Sequence, residues 1–153
     1  MALRTVSNTG GNWNATTAWV GGVVPVAADT VDFTATSGNL VVNVTTATLG
    51  GINFSNYVGT ITFNANIVVN TSVNLGTGGY TQAGGGTFGL TIGLSTTITS
   101  NGVSWNNLLT FIGNTATYTL ADNLNVTGNI VLAGTSSITF TGNILYIGRD
   151  LTI

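Results

Sequence analysis

Residues 138–146 have the sequence Ile-Thr-Phe-Thr-Gly-Asn-Ile-Leu-Tyr, and this stretch shows the pattern that decides the fold. Apolar residues occupy alternate positions on both sides of the pair Gly142-Asn143. A period of two is typical of a β-strand with one buried face, and Gly-Asn is a turn signal. The stretch therefore predicts two short strands separated by a tight turn.

The same pattern recurs upstream as a loose repeat of about 20–22 residues. A period of this length, with several short strands in each unit, matches one coil of a β-solenoid. We therefore predict an all-β solenoid over residues 39–153, with residues 1–38 as an N-terminal cap or docking region. An antiparallel β-sandwich or jelly roll is the alternative that strand and turn spacing allows. The repeat divides into 39–59, 60–80, 81–101, 102–123, 124–143 and a partial unit from 144.

The composition agrees with an ordered β-protein of one domain. The 153 residues include 29 Thr, 19 Asn and 22 Gly, and only 4% are charged, whereas ordinary domains are roughly 25% charged. Apolar residues make up 43% of the chain, which is enough for a core. Stacked coils place like residues above like, and like charges in that position repel. A solenoid therefore accounts for the missing charge.

Several functions are disfavoured by what the chain lacks. It has a net charge of −2, two Arg and no Lys, so it offers no cluster of cations for nucleic acid. No window is apolar over 18 residues, so we expect no membrane insertion. Without Cys or His, it lacks disulfides, thiol nucleophiles and the commonest general base. We expect no cofactor. The first residues do not form a signal peptide.

One block near the N-terminus resembles a known group of proteins. Residues 13–33 follow the pattern W-x5-W-x-GG-x2-P-x3-D-x-V-x-F. This block resembles the opening of β-helical fibre and surface proteins of phages and of bacterial adhesins, and it is similar to the start of the G8 domain. Segments 118–132 and 142–153 resemble the coils of such proteins. The resemblance implies surface display, attachment, and contact with carbohydrate or a host.

The acidic residues are the candidates for catalysis or calcium binding. Asp29 and Asp32 form the one close pair, and Thr30 could add an oxygen ligand for calcium. On a strand the two carboxylates would not face each other as an acid and a base. We therefore predict a turn or cap role for Asp29, a ladder or solvent position for Asp32, and structural roles for Asp122 and Asp150. A polysaccharide-cleaving enzyme would depend on the close pair.

Aromatic residues near the N-terminus are the candidate cap or docking residues. Trp13 and Trp19 are six positions apart, and Pro25 follows them. The two indoles could form a platform for stacking sugars, but we favour a role in covering the end of the solenoid core. Tyr57 and Tyr80, near the ends of their units, are candidate exposed contacts.

Three Thr pairs give the sharpest positional signal. They are Thr97-Ile-Thr99, Thr117-Tyr-Thr119 and Thr139-Phe-Thr141, at offsets of 20 and 22 residues. If the middle residue points inward, both Thr point outward, and three coils would stack them as a flat ladder. Such arrays resemble those of ice-binding solenoids, although a ladder also arises from packing alone. At the matching upstream position the chain has residues 77–79, Thr-Gly-Gly.

These observations predict a non-enzymatic virion protein at a particle surface, such as a tail fibre, an appendage or a capsid decoration. It would present an uncharged surface rich in Thr and Asn for attachment. We expect a homo-oligomer, with a trimer favoured, and contacts with other virion proteins and with host-surface glycans. The alternatives are a free ice-binding or glycan-binding module and a bacterial surface adhesin.

Overall fold

The computed structural model describes residues 1–84, 86–134 and 138–153. It confirms the predicted all-β solenoid, because its strands pair in parallel with the strands of the coils before and after them. An antiparallel sandwich is thereby excluded. One turn of 3-10 helix lies at Thr16–Ala18. The strands are β1 Leu3–Thr5, β2 Gly11–Asn12, β3 Thr30–Asp32, β4 Leu40–Val42, β5 Leu49–Asn53, β6 Thr60–Phe63, β7 Ile67–Asn74, β8 Thr81–Ala83, β9 Gly89–Ile92, β10 Thr97–Thr99, β11 Ser104–Trp105, β12 Leu108–Phe111, β13 Ala116–Leu120, β14 Leu124–Val126, β15 Ile130–Leu132, β16 Ile138–Gly142, β17 Leu145–Ile147 and β18 Leu151–Thr152.

The strands line three faces of the stack. The Thr face contains β1, β3, the second halves of β5 and β7, β10, β13 and β16. The back face contains the first halves of β5 and β7, then β9, β12, β15 and β18. The split face consists of two separate sheets, β2-β4-β6-β8 and β11-β14-β17.

Alternation along each strand places one set of side chains inside the stack. In β13 the buried residues are Ala116, Tyr118 and Leu120, and the two Thr between them are exposed. Because the coils stack in register, the inward side chains of successive coils also stack. Phe54 lies between Phe33 and Tyr80, with ring centroids 4.6 and 4.8 Å away and nearly parallel planes. The interior is therefore a continuous apolar column.

The N-terminal segment, residues 1–38, covers the outer edge of its own strand β1. The Trp19 indole packs edge-on against Trp13, with centroids 4.8 Å apart, and its Nε1 donates to the Trp13 carbonyl at 2.8 Å. Trp19 also forms an antiparallel bridge with Val6. The Ser7 amide donates to the Ala18 carbonyl nearby at 2.8 Å. This short antiparallel contact shields the edge of the Thr face, which would otherwise be open to strand pairing.

Polar ladders hold the outer corner next to the Thr face. Asn53 Nδ2 donates to the Asp32 carboxylate at 2.8 Å, and Asn101 Nδ2 donates to Asn74 Oδ1 at 2.9 Å. These bonds join side chains of neighbouring coils. Stacked polar residues thus form ladders between coils, and of the two positions predicted for Asp32 the structure shows the ladder position.

The coil formed by β16, β17 and β18 differs from those before it. Its inward positions are half-buried or exposed, and Leu151 is 44% exposed. The corresponding position one coil earlier, Ile130, is fully buried. Within the described ranges no further coil covers this surface, so apolar side chains remain accessible there.

Candidate functional site

The predicted Thr pairs lie on the Thr face, but their stacking differs from the sequence prediction. Thr97 lies opposite Thr119, and Thr119 lies opposite Thr141. Thr117 lies opposite Thr139 and is not aligned with Thr97. The sequence prediction places Thr97, Thr117 and Thr139 in one row. It is wrong for Thr97, which lies two residues further along and faces Thr119.

The error has a physical cause. A shift of two residues along a strand returns every side chain to the same face, so alternation alone cannot detect it. In the preceding coil the residue opposite Thr97 is Ser72. In the coil before that, the residue opposite Ser72 is Gly51. Residues 77–79, which the sequence offset had indicated, lie between β7 and β8 and are outside this face.

The correct register produces two outward rows of hydroxyl groups. The first row contains Ser72, Thr97, Thr119 and Thr141. In the second row, Ser95 precedes Thr117 and Thr139, and the Thr117 amide donates to Ser95 Oγ at 3.2 Å. Neither Ser belongs to a Thr-x-Thr pattern, so that pattern did not indicate them. An allowance for any hydroxyl residue at outward positions would have found them.

Five of the six predicted Thr are exposed. Thr97, Thr117, Thr119, Thr139 and Thr141 are exposed, while Thr99 is half-buried and pairs with Asn74 instead of Thr. Within a row the strands are about 4.8 Å apart, and the rows are roughly 7 Å apart. The Thr119 and Thr141 hydroxyl oxygens are 3.5 Å apart. Each hydroxyl can both donate and accept, so the face suits uncharged ligands that present hydroxyl groups.

The close pair of Asp residues does not form an acid and base pair. Asp29 is buried and accepts from Arg4 Nε at 2.8 Å and from the backbone amides of Ala2 and Val26 at 2.7 and 3.3 Å. The hydrogen bond from Arg4, which outweighs the effect of burial, lowers the pKa of Asp29 to about 2. Its position agrees with the predicted turn role.

The other carboxylates also have structural positions. Asp122 accepts from the backbone amides of Ser100 and Asn101, at 2.7 and 2.6 Å, and so fixes a corner of the preceding coil. Asp150 is exposed. In the parts of the chain that the structure describes, no three residues among His, Cys, Asp and Glu come close enough to hold a metal ion. Those parts also contain no helix with the length and apolar character needed to cross a membrane.

The candidate cap residues lie inside the molecule. Trp13 and Trp19 are each 2% exposed, and Pro25 is buried. The two indoles therefore offer no platform to a sugar from solvent. The Tyr57 hydroxyl shares its one proton between the carbonyls of Gly38 and Thr60, at 3.0 and 2.9 Å. Tyr57 is fully buried, so the prediction of an exposed contact is wrong for that residue.

No protein-family model matches the chain, and no curated protein or solved structure is significantly similar to it.

Proposed function

We propose that the chain is a non-enzymatic structural and adhesive protein of a virion, in which the Thr face mediates attachment. The observation that carries this proposal is the pair of uncharged hydroxyl rows on stacked parallel strands. Strands in register fix the hydroxyl positions, so a ligand binds to groups that are already ordered. The adhesive surface is thus a consequence of the fold.

The partners follow from the chemistry of this face. Hydroxyl groups without nearby charge favour neutral polyhydroxyl ligands, of which host-surface glycans are the relevant class. A single contact of this kind is weak, and repetition along the rows and across a homotrimer would raise the affinity. The N-terminal segment, whose exposed Val20, Val23 and Val26 project from it, would dock on other virion proteins.

The positions of the carboxylates support the non-enzymatic part of the proposal. Hydrolysis of a glycosidic bond uses two carboxylates on either side of that bond. Asp29 is ion-paired and buried, and Asp32 accepts from Asn53 and Ser55 at 2.8 and 3.2 Å. Both carboxylates are engaged in holding the first coils together.

Binding to immobilised neutral polysaccharides tests the proposal. The probes are dextran, mannan and a β-1,4-linked N-acetylglucosamine polymer. The test variant is Thr97→Val/Thr119→Val/Thr141→Val, which removes the three Thr hydroxyls of the first row, leaves Ser72, and retains β-branched side chains. The control is Thr91→Val/Thr110→Val, an adjacent pair on the back face. We expect retention of the wild type on at least one polymer and loss of it in the test variant alone. Equal retention of both variants, or none for the wild type, would refute attachment through this face.

A free ice-binding module is the second candidate, and the regular spacing of the two hydroxyl rows favours it. Ice binding requires a flat array that matches a periodic surface, whereas glycan attachment does not. Thermal hysteresis of a dilute solution distinguishes the two. A hysteresis that disappears in the triple Val variant would favour ice binding over attachment.

A further inference from the structure

A step in the outer surface lies where the Thr face meets the split face. Between β7 and β8 the corner has six residues, 75–80, whereas the next corner, between β10 and β11, has only four, 100–103. The wider corner therefore extends past the narrower one. Irregular insertions in solenoids often lie on the binding face.

The split face is interrupted at the same place. Backbone pairing stops between β8 and β11, and the Gln82 side chain bridges them. Gln82 Nε2 donates to the Ser104 carbonyl at 3.0 Å, and Gln82 Oε1 accepts from the backbone amide of Asn106 at 3.0 Å. The Gln82 side chain thus takes the place of backbone hydrogen bonds between β8 and β11. It keeps the two coils joined where their backbones are not paired.

Together the step and the interruption form a cleft of about 480 Å³. This volume is within the usual range for small-molecule sites. Its lining carries hydroxyl, amide and backbone polar groups and no charged side chain, so the cleft suits a neutral ligand. The lining includes Thr77, Tyr80, Thr81, Asn101, Ser104 and Asn106.

The polar groups in the cleft retain hydrogen-bonding capacity. Ser104 Oγ accepts from Asn125 Nδ2 at 2.8 Å, which leaves its own proton to donate. Asn106 Oδ1 accepts from Asn107 Nδ2 at 3.1 Å, which leaves the side-chain amide protons of Asn106 to donate to a ligand. Asn101 donates through Nδ2 to Asn74, which leaves its oxygen as an acceptor. Donors and an acceptor close together match the hydroxyl groups of a sugar ring.

The Tyr80 side chain forms part of the same wall. Its ring stacks on Phe54 with centroids 4.8 Å apart, and its hydroxyl is shielded from solvent beside the Gln82 side chain. Tyr80 therefore contributes packing to the wall, while the hydrogen bonds to a ligand come from Ser104, Asn106 and Asn101.

We propose that this cleft is a saccharide site that binds one or two neutral sugar units. The proposal rests on the adhesive function proposed above and adds a defined pocket, separate from the Thr face, that selects for uncharged rings. Affinity at one pocket should be weak, because the cleft is shallow and ligand contacts replace contacts with water.

Titration with maltotriose, cellotriose and chitotriose, followed by amide chemical shifts in NMR, tests the site. The test variant is Thr81→Ala/Asn106→Ala. The control is Thr60→Ala/Asn64→Ala, in which Thr60 lies opposite Thr81 one coil earlier and outside the cleft. We expect at least one trisaccharide to shift residues 77–82 and 101–106. The test variant should weaken that binding about tenfold, while the control leaves it unchanged.

The outcomes separate this proposal from attachment through the Thr face. No shift of the cleft residues with any trisaccharide overturns the saccharide site, whatever the triple Val variant does on polysaccharides. Equal weakening by the test and control variants also overturns it. Binding that survives in the triple Val variant but is lost in Thr81→Ala/Asn106→Ala would support the cleft and refute the Thr face.

Discussion

Paired charges on the Thr face give a direct test of the register. In the structure Thr97 lies opposite Thr119, while Thr117 is displaced from it by two residues along the neighbouring strand. Two Asp residues introduced at 97 and 119 would stand about 5 Å apart, which is one strand spacing. Asp residues at 97 and 117 would stand about 8 Å apart, one strand across and two residues along.

The expected repulsion follows from these separations. In a water-like dielectric, two unit charges repel by roughly 0.8 kcal/mol at about 5 Å and by roughly 0.5 kcal/mol at about 8 Å. Both values lie within the range measured for exposed ion pairs. Each single Thr→Asp change adds its own loss of β-propensity, up to about 1 kcal/mol, which a double-mutant cycle removes.

The assay is urea unfolding of the two double variants and their single variants at pH 7 and low ionic strength. We expect a larger destabilising coupling for Thr97→Asp/Thr119→Asp than for Thr97→Asp/Thr117→Asp, and both should shrink in 1 M salt, where the screening length is about 3 Å. Thr97→Arg/Thr119→Asp should show a coupling of the opposite sign. A larger coupling between positions 97 and 117 would refute the register, and with it the two-row hydroxyl array.

Three further predictions follow from the packing. Because the pKa of Asp29 is lowered to about 2 from 3.8 by the Arg4 interaction, this carboxylate stabilises the fold above about pH 4 and loses its contribution as the pH falls towards 2. Thermal unfolding between pH 2 and 5 should therefore vary less in Asp29→Asn than in the wild type, and identical slopes would contradict this. Phe54→Ala should destabilise the protein by about 3–5 kcal/mol, because Phe54 is fully buried between Phe33 and Tyr80; a loss below about 1 kcal/mol in urea unfolding would argue against the stacked column. Light scattering should give a native mass of three times 15.5 kDa, since the proposed trimer would cover exposed apolar side chains, and a monomer would count against it.

The coil spacing could be predicted from the sequence because it depends on features that a sequence displays. The predicted units at 39, 60, 81, 102, 124 and 144 begin within two residues of β4, β6, β8, β11, β14 and β17, all on the split face. Turn residues and alternation mark these positions, and stacked coils require a nearly constant period. The fold class followed from that regularity.

The details of the site could not be predicted in the same way. Register depends on the lengths of individual corners, and these vary from coil to coil, as the six residues at 75–80 and the four at 100–103 show. The cleft exists only because neighbouring corners differ, so no single unit of the repeat carries a signal for it. The burial of Trp13 and Trp19 depends on a contact with Val6 that the repeat does not contain. The resemblance to fibre proteins remains a prediction.

The antiparallel contact between Val6 and Trp19 gives the stack a direction of assembly. A coil in the middle of the solenoid gains most of its stability from a neighbour that is already folded. The N-terminal segment needs no such neighbour on its outer side, since Ala18 and Trp19 supply that surface from within the segment itself. Folding can thus begin in this segment, and each later coil is added to a coil that is already folded. Damage to the Trp13–Trp19 contact would therefore slow folding of the whole chain, including coils that never touch it.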